Sequence, residues 1–177
     1  MIFRQLIHYD SSTYSYLLAR RRGGEALIID PVRDDVDKYV QLVEELDVKL
    51  VKAIDTHVHA DHVTALGELR EQLGCATVMG DRTKAECVSM TVRDGERLDV
   101  DGVVLTAMYT PGHTDDSFSF VMNDRVFTGD TLLIRGTGRT DFQNGDARAQ
   151  HDSLFNRLLK LDEETLVYPA HDYKGWT

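Results

Sequence analysis

The stretch His57-Val58-His59-Ala60-Asp61-His62 decides the fold of this chain, because it places four candidate metal ligands within six positions. Burying imidazole and carboxylate groups without partners costs roughly 2–7 kcal/mol for each neutral group and more for a charge. A bound cation removes this cost, because it takes up the lone pairs that would otherwise stay unsatisfied. The stretch therefore predicts a metal centre that the rest of the fold must complete.

Three further candidate ligands come later in the chain, and each follows a predicted strand. The strands are predicted at residues 103–109, 125–128 and 165–168. The ligands at their ends are His113, Asp130 and His171. A fourth predicted strand, at residues 50–54, leads into the His57 stretch. Loops at the ends of rigid strands bring side chains to one point, so all seven donors are expected at one sheet edge.

The remaining pattern predicts a layered α/β fold. Strands at residues 13–19 and 25–30 are joined by a hairpin turn that contains Arg20-Arg21-Arg22-Gly23-Gly24. Apolar residues at helical spacing predict helices over residues 34–47, 64–73 and 147–161. The last helix is expected to cover a sheet face with a stripe of His151, Leu154, Phe155, Leu158 and Leu159. Together these elements predict an α/β/β/α sandwich, two packed β-sheets with helices outside.

Length and composition predict a single soluble domain over residues 1–177. The chain is 42% hydrophobic and 28% charged, and its net charge of −10 argues against a nucleic-acid partner. No stretch is apolar enough for a signal peptide or a membrane span, so a cytoplasmic location is expected. Cys75 and Cys87 form neither a metal-binding pair nor a disulfide pattern, and both are interpreted as reduced structural thiols.

The order and context of the seven donors resemble the metallo-β-lactamase superfamily along nearly the whole chain. Within it, two segments resemble the persulfide dioxygenases of the ethylmalonic-encephalopathy-protein type. They are Gly129-Asp-Thr-Leu-Leu-Ile-Arg-Gly-Thr-Gly-Arg-Thr-Asp-Phe-Gln143 and Tyr168-Pro-Ala-His-Asp-Tyr-Lys-Gly-Trp-Thr177. The glyoxalase II thioesterases share a Gly-x-Gly-Arg element but usually lack its flanking residues. Two features depart from the family: Thr137 stands where many members have Cys, and members commonly continue past the position of Thr177. The chain is therefore expected to be truncated or a short variant.

The seven donors can be used in two ways, between which spacing alone does not choose. In a dinuclear arrangement, Asp130 bridges two metals, one held by His57, His59 and His113 and the other by Asp61, His62 and His171. The resemblance instead implies one Fe(II) per chain in a two-histidine, one-carboxylate triad. Its catalytic ligands are then His57, His113 and Asp130. The groups that surround and orient them are His59, Asp61, His62 and His171.

The resemblance implies a persulfide dioxygenase that converts glutathione persulfide, O2 and water to sulfite and glutathione. Arg139 is expected to anchor a glutathione carboxylate, with Tyr173 lining the same pocket. The alternatives are an ion pair between Arg139 and Asp141, and a packing role for Tyr173. Rival functions are a dinuclear glyoxalase II-type hydroxyacylglutathione thioesterase and a non-catalytic metal-binding module. Homodimerisation and delivery of the persulfide by a sulfurtransferase partner are left open.

Overall fold

A computed structural model describes residues 1–86 and 88–175, so Cys87, Trp176 and Thr177 lie outside the described residues. A six-stranded sheet is built from the N-terminal half, in the order β1-β2-β3-β4-β5-β6. Its strands are β1 Ile2–His8, β2 Thr13–Ala19, β3 Glu25–Ile29, β4 Lys49–Ile54, β5 Ala76–Gly80 and β6 Met90–Val92. The first three strands pair antiparallel, and β3 to β6 pair parallel.

A five-stranded sheet follows, in the order β11-β10-β9-β8-β7. Its strands are β7 Arg97–Val100, β8 Val103–Tyr109, β9 Phe118–Val121, β10 Arg125–Gly129 and β11 Leu166–Pro169. Strands β7 to β10 pair antiparallel, whereas β10 and β11 pair parallel. Strands β8, β10 and β11 therefore run in one direction, and their C-terminal ends reach the same edge.

The two sheets pack face to face, and helices cover the outer face of the first sheet. Strand β2 is buried along its whole length because its side chains alternate between two cores. Tyr16 and Leu18 pack against the second sheet, for example against Phe120. Leu17 and its neighbour Ala19 pack instead beneath α1 (Val36–Glu45) and α2 (Leu66–Leu73). The predicted α/β/β/α sandwich is confirmed. Across the described residues, none of the helices is long and apolar enough to cross a membrane.

The helical segment after residue 146 differs from its prediction. It begins as α3 (Ala147–Asp152) and continues through a π-turn (Ser153–Arg157) and a 3-10 turn (Leu158–Lys160). The expected apolar stripe is present only in part, since Leu158 is buried whereas Phe155 and Leu159 are 51% and 58% exposed. The π-turn shifts the side chains that follow it, and polar contacts decide the buried face. Gln150 Nε2 donates to the Thr131 carbonyl (2.6 Å) and Ser153 Oγ donates to the Pro111 carbonyl (2.7 Å).

Candidate metal centre

The seven predicted donors meet where the C-terminal ends of four strands come together. The His57 stretch follows β4, and His113, Asp130 and His171 follow β8, β10 and β11. Since β4 belongs to the first sheet and the other three strands belong to the second, the centre spans both sheets. The expectation of a single sheet edge is corrected in this respect. Sheet packing therefore contributes directly to the geometry of the site.

The first group of donors consists of His57, His113 and Asp130. One ligand atom from each lies within 4.8 Å of the other two, and all three side chains are largely buried. His113 Nε2 is 3.3 Å from Asp130 Oδ2, and the rings of His57 and His113 stand nearly perpendicular at 5.0 Å between centroids. The structure therefore brings together the three residues expected to hold the metal.

The other four donors adjoin this triad. His59, Asp61 and His62 offer ligand atoms within 4.8 Å of one another. His171 Nε2 lies 3.5 Å from Asp61 Oδ2 and 3.4 Å from Asp130 Oδ1, so it links the second group to the first. All seven donors form one continuous cluster with Asp130 in the middle.

Unsatisfied polar atoms show that this cluster fits a cation. Among the described residues, buried atoms without a hydrogen-bond partner include His59 Nδ1, His62 Nε2, Asp130 Oδ1 and His171 Nε2. Leaving a buried polar atom unpaired costs about 1–3 kcal/mol, and more when the group is charged. Four such atoms in one cluster are accounted for by metal binding, which uses these lone pairs. The centre is therefore a metal site.

Hydrogen bonds fix which nitrogen of each triad histidine faces the metal. His113 Nδ1 is 2.8 Å from the carbonyl oxygen of Arg139, which can only accept. His57 Nδ1 is 2.9 Å from Thr56 Oγ1, whose hydroxyl donates to Asp30 Oδ2 at 3.1 Å. Both Nδ1 atoms therefore carry the proton, and both Nε2 atoms keep a lone pair for a metal.

Asp30 is a functional residue that sequence reasoning missed. Its side chain is buried, its φ is +49°, and its Oδ1 accepts from the Thr56 backbone N–H at 2.7 Å and lies 3.2 Å from His59 Nε2. It therefore orients His57 through Thr56 and holds His59 directly. The available signal was an Asp-Pro pair at the end of a buried strand, where a carboxylate without a role is costly.

The same network sets the charges around the centre. Burial lowers the pKa of His57, and the neighbouring histidines lower it further, so this ring stays neutral as a ligand must. Burial also opposes the charged form of His59, but the hydrogen bond and negative charge of Asp30, with Asp55, raise its pKa to about 9. Burial raises the pKa of Asp55 to about 7. Asp30 thus holds the proton on His59 Nε2, and Nδ1 faces the donor cluster.

The segment after Asp130 folds back over the triad. The Gly138 N–H donates to the Asp130 carbonyl at 2.7 Å, and the next residue, Arg139, supplies the carbonyl that orients His113. A Cβ atom at Gly138 would lie 2.5 Å from the Asp130 carbonyl oxygen and 2.8 Å from the His113 ring. Gly138 is therefore required by close approach of this segment to two ligands.

The two predicted substrate-binding residues lie at the rim of the donor cluster. Arg139 forms a two-point ion pair with Asp141 (2.7 and 3.0 Å), the alternative raised from the sequence. Tyr173 is 61% exposed and stacks on His171 at 4.7 Å. Arg139 lies in the lining of a cavity of about 410 Å3 and Tyr173 in that of a cavity of about 210 Å3, and their joint binding of one substrate stays a prediction. Thr137 lines both cavities.

The fold and the donor cluster define the class of protein, and comparison with known proteins agrees. The model of the Metallo-beta-lactamase superfamily matches residues 8–87 and 88–171, so the chain belongs to this superfamily. Within it, the chain belongs to the persulfide dioxygenase family. It is 42% identical over 180 residues to the mitochondrial persulfide dioxygenase ETHE1 of Mus musculus, covering 100% of this chain and 70% of the mouse protein.

Two other comparisons bear on the site. The crystal structure of ETHE1 from Myxococcus xanthus superimposes with a TM-score of 0.97 at 52% identity, covering 100% of this chain and 78% of that one. A probable hydroxyacylglutathione hydrolase of Schizosaccharomyces pombe is 33% identical over 90% of this chain and 64% of its own length. The similarity to the dioxygenases is thus both higher and more complete.

Proposed function

We propose that this protein is an iron-dependent persulfide dioxygenase, which converts glutathione persulfide, O2 and water to sulfite and glutathione. The observation that carries the proposal is the buried triad of His57, His113 and Asp130, in a chain 42% identical along its whole length to a persulfide dioxygenase. Two histidines and one carboxylate are the donor set of non-haem Fe(II) oxygenases, whereas zinc is redox-inert.

One Fe(II) per chain would be held by this triad, and would supply the electron transfer that joins O2 to sulfur. The chain's own residues prepare the ligands. Thr56 and the Arg139 carbonyl hold the Nδ1 protons of His57 and His113, so that both present Nε2. With a single carboxylate in the triad, the ferrous site keeps a formal positive charge, which attracts an anionic persulfide.

His59, Asp61, His62 and His171 surround the triad as orienting groups in this proposal. Asp30 Oδ1 lies 3.2 Å from His59 Nε2 and orients the ring. Burial opposes the ionisation of Asp61, but its hydrogen bond to His62 and the charge of His171 outweigh this and lower its pKa, which keeps the carboxylate anionic. Asp61 Oδ2 lies 3.5 Å from His171 Nε2, which in turn lies 3.4 Å from Asp130 Oδ1.

Arg139 and Tyr173 are proposed to bind the substrate from the two cavities that Thr137 lines. The Arg139 guanidinium is exposed, so a glutathione carboxylate can exchange with or join Asp141. Partial burial of the Tyr173 ring, together with the charges of Asp130 and Asp61, raises the pKa of Tyr173, so its hydroxyl keeps its proton and can donate. The homodimer, the sulfurtransferase partner, the cytoplasmic location and the single-domain assignment stay predictions.

A dinuclear thioesterase is the second candidate, because His59 Nδ1, His62 Nε2 and His171 Nε2 are buried and unsatisfied. These atoms could serve a second metal bridged by Asp130, whose two cations would activate a water for hydrolysis. The similarity to the Schizosaccharomyces pombe protein points the same way, at lower identity.

The deciding experiment is oxygen uptake by anaerobically iron-reconstituted protein. With glutathione persulfide we expect oxygen consumption, sulfite formation and one iron per chain. Zinc-loaded protein is the control and should consume no oxygen. Absence of uptake in iron-loaded protein that hydrolyses S-lactoylglutathione, with two metals per chain, would establish the thioesterase instead.

A further inference from the structure

Val58 lies between His57 and His59, and both of its backbone polar groups are held by side chains. Its N–H donates to Asp116 Oδ2 at 3.2 Å, and its carbonyl oxygen accepts from Gln143 Nε2 at 3.1 Å. The Val58 side chain is 41% exposed, so these contacts act on the backbone of the ligand loop. We call Asp116 and Gln143 the Val58 clamp.

The Val58 clamp reaches from one sheet to the other. Val58 follows β4 of the first sheet, whereas Asp116 lies in the loop between β8 and β9, and Gln143 lies between β10 and α3. The two contacts span 58 and 85 positions of the chain. The β8–β9 loop also makes a backbone contact here, since the Phe118 N–H donates to the Thr56 carbonyl at 2.9 Å. The clamp therefore fixes the ligand loop against the sheet that supplies the other ligands.

Asp116 is a buried carboxylate whose two oxygens are both used. It is 5% exposed, and its Oδ1 accepts from the Thr114 hydroxyl at 2.7 Å, while Oδ2 accepts from Val58. Thr114 follows His113 directly, so one carboxylate contacts the loops of two triad histidines. Burying a carboxylate is costly unless hydrogen bonds compensate for the lost water. The two contacts therefore account for an acid at this position.

Gln143 holds the same loop from the segment that folds back over the triad. Earlier in that segment, the Arg139 carbonyl orients His113. Gln143 adds the contact to the loop that carries His57. Its φ is +47°, in the left-handed region that residues with a Cβ rarely adopt, so the amide is placed there at a conformational cost. One segment thus acts on two triad histidines, once through a backbone carbonyl and once through a side-chain amide.

We propose that Asp116 and Gln143 are positioning residues of the metal centre, which act through the Val58 backbone on His57 and His59. The peptide groups on either side of Val58 set the separation of the two rings, whose centroids are 4.2 Å apart. Loss of either contact would free the loop, and His57 would no longer be held toward the other two triad ligands. The inference rests on the proposed function for the identity of the metal.

The first test measures iron affinity by anaerobic competition with a chelator. Asp116→Leu keeps about the size of the side chain but removes both acceptors, and should lower the affinity about 10–100-fold. Asp116→Asn should restore most of it, because its amide oxygen can still accept from the Val58 N–H. Asp115→Leu is the matched control and should keep the affinity, since Asp115 is exposed and pairs with Lys84 at 3.3 Å.

The second contact is tested by Gln143→Glu, which keeps the shape of the side chain but removes the N–H donor. Iron affinity should fall about tenfold, because the carboxylate repels the Val58 carbonyl instead of donating to it. Asn144→Asp adds the same charge one residue later. The Asn144 amide contacts Asp115 rather than the ligand loop, so this control should keep the affinity.

Two further measurements separate positioning from a general loss of stability. Hydrogen exchange at the Val58 amide of the iron-loaded protein should be about tenfold faster in Asp116→Leu and unchanged in Asp115→Leu. The visible absorption of Co(II)-loaded protein reports ligand geometry, and should change in Asp116→Leu and Gln143→Glu. Variants that lose stability but keep the Co(II) spectrum of the unaltered protein would show a structural role alone and overturn the proposal.

None of these measurements needs turnover, so this inference and the proposed function can fail separately. If iron-loaded protein oxidises no persulfide but Asp116→Leu and Gln143→Glu weaken metal binding as expected, the dioxygenase proposal fails and the Val58 clamp stands. If both variants keep the iron affinity and the Co(II) spectrum of the unaltered protein, the clamp is wrong even in an active dioxygenase.

Discussion

The inner wall of the metal centre and its outer rim are built by different means. On the inner wall, His57 and Asp30 are 2% and 1% exposed, and hydrogen bonds fix their orientation. On the rim, Tyr173 is 61% exposed and the Arg139 side chain is 65% exposed. Metal geometry is therefore set before any substrate arrives, whereas substrate contacts can adjust.

The contrast follows from the free energy that a displaced side chain costs in each region. A misplaced ligand inside the cluster leaves a buried charge or lone pair unsatisfied, which is expensive in a low-dielectric surrounding. A misplaced rim side chain is hydrated again at little cost, and exposed ion pairs contribute little to stability. Substitutions on the inner wall should therefore act through metal content, and substitutions at the rim through KM.

The largest effect is expected for Asp130→Ala, which removes the central carboxylate and the only anionic member of the triad. Iron affinity should fall by more than the roughly 10–100-fold typical of losing a group around the ligands, and oxygen uptake should be lost. Iron stoichiometry by elemental analysis checks this. Asp141→Ala, a carboxylate of the rim, is the matched control and should keep its iron. Full iron occupancy in Asp130→Ala would contradict the ligand assignment.

The next effect is expected for Thr56→Val, which keeps the shape of the side chain but removes the hydroxyl between His57 and Asp30. Iron affinity should fall about 10–100-fold, measured by competition with a chelator. Thr56→Ser should restore it, because the hydroxyl returns. The same change at the rim, Thr137→Val, should leave affinity unchanged. Unaltered iron affinity in Thr56→Val would show that the hydrogen bonds through the Thr56 hydroxyl do not orient His57.

Gly138→Ala should act on both metal content and stability, because its Cβ would crowd the Asp130 carbonyl and the His113 ring. We expect a loss of about 1–3 kcal/mol in the free energy of unfolding, measured by denaturant titration of the iron-loaded protein. Gly136→Ala lies two residues away, where nothing stands within 4 Å of the new Cβ atom, and should be neutral. If Gly138→Ala is as stable as Gly136→Ala, Gly138 does not make the close approach to the Asp130 carbonyl and the His113 ring.

The smallest effect is expected for Arg139→Ala. KM for glutathione persulfide should rise about three- to tenfold with iron content and kcat unchanged, since an exposed guanidinium gains only part of a charge-assisted contact. Steady-state oxygen uptake measures both constants. Asp141→Asn, which frees the guanidinium from its acidic neighbour, tests the opposite direction and should not raise KM. An unchanged KM in Arg139→Ala would show that Arg139 does not bind the substrate, and its ion pair with Asp141 would then be its role.

Sequence patterns predicted six of the eleven strands in the described residues, namely β2, β3, β4, β8, β10 and β11. The strand over residues 13–19 and that over 103–109 have the predicted bounds, and the hairpin between β2 and β3 is confirmed. Strand β1 was missed because it is a half-exposed edge strand, and β6, β7 and β9 because they span only three or four residues. The buried five-residue strand β5 was missed as well, because so short an apolar run has no distinguishing period. Such strands are defined by pairing with neighbours, which periodicity does not record.

The sequence by itself determined the donors of the metal centre, since seven ligand residues lie in short motifs at strand ends and carry their chemistry in their side chains. Only the tertiary structure decided how those donors are oriented. Asp30 reaches His59 across 29 positions of the chain, and the Arg139 carbonyl reaches His113 across 26. A backbone carbonyl has no residue-specific signature, and long-range contacts appear only when two sheets pack together.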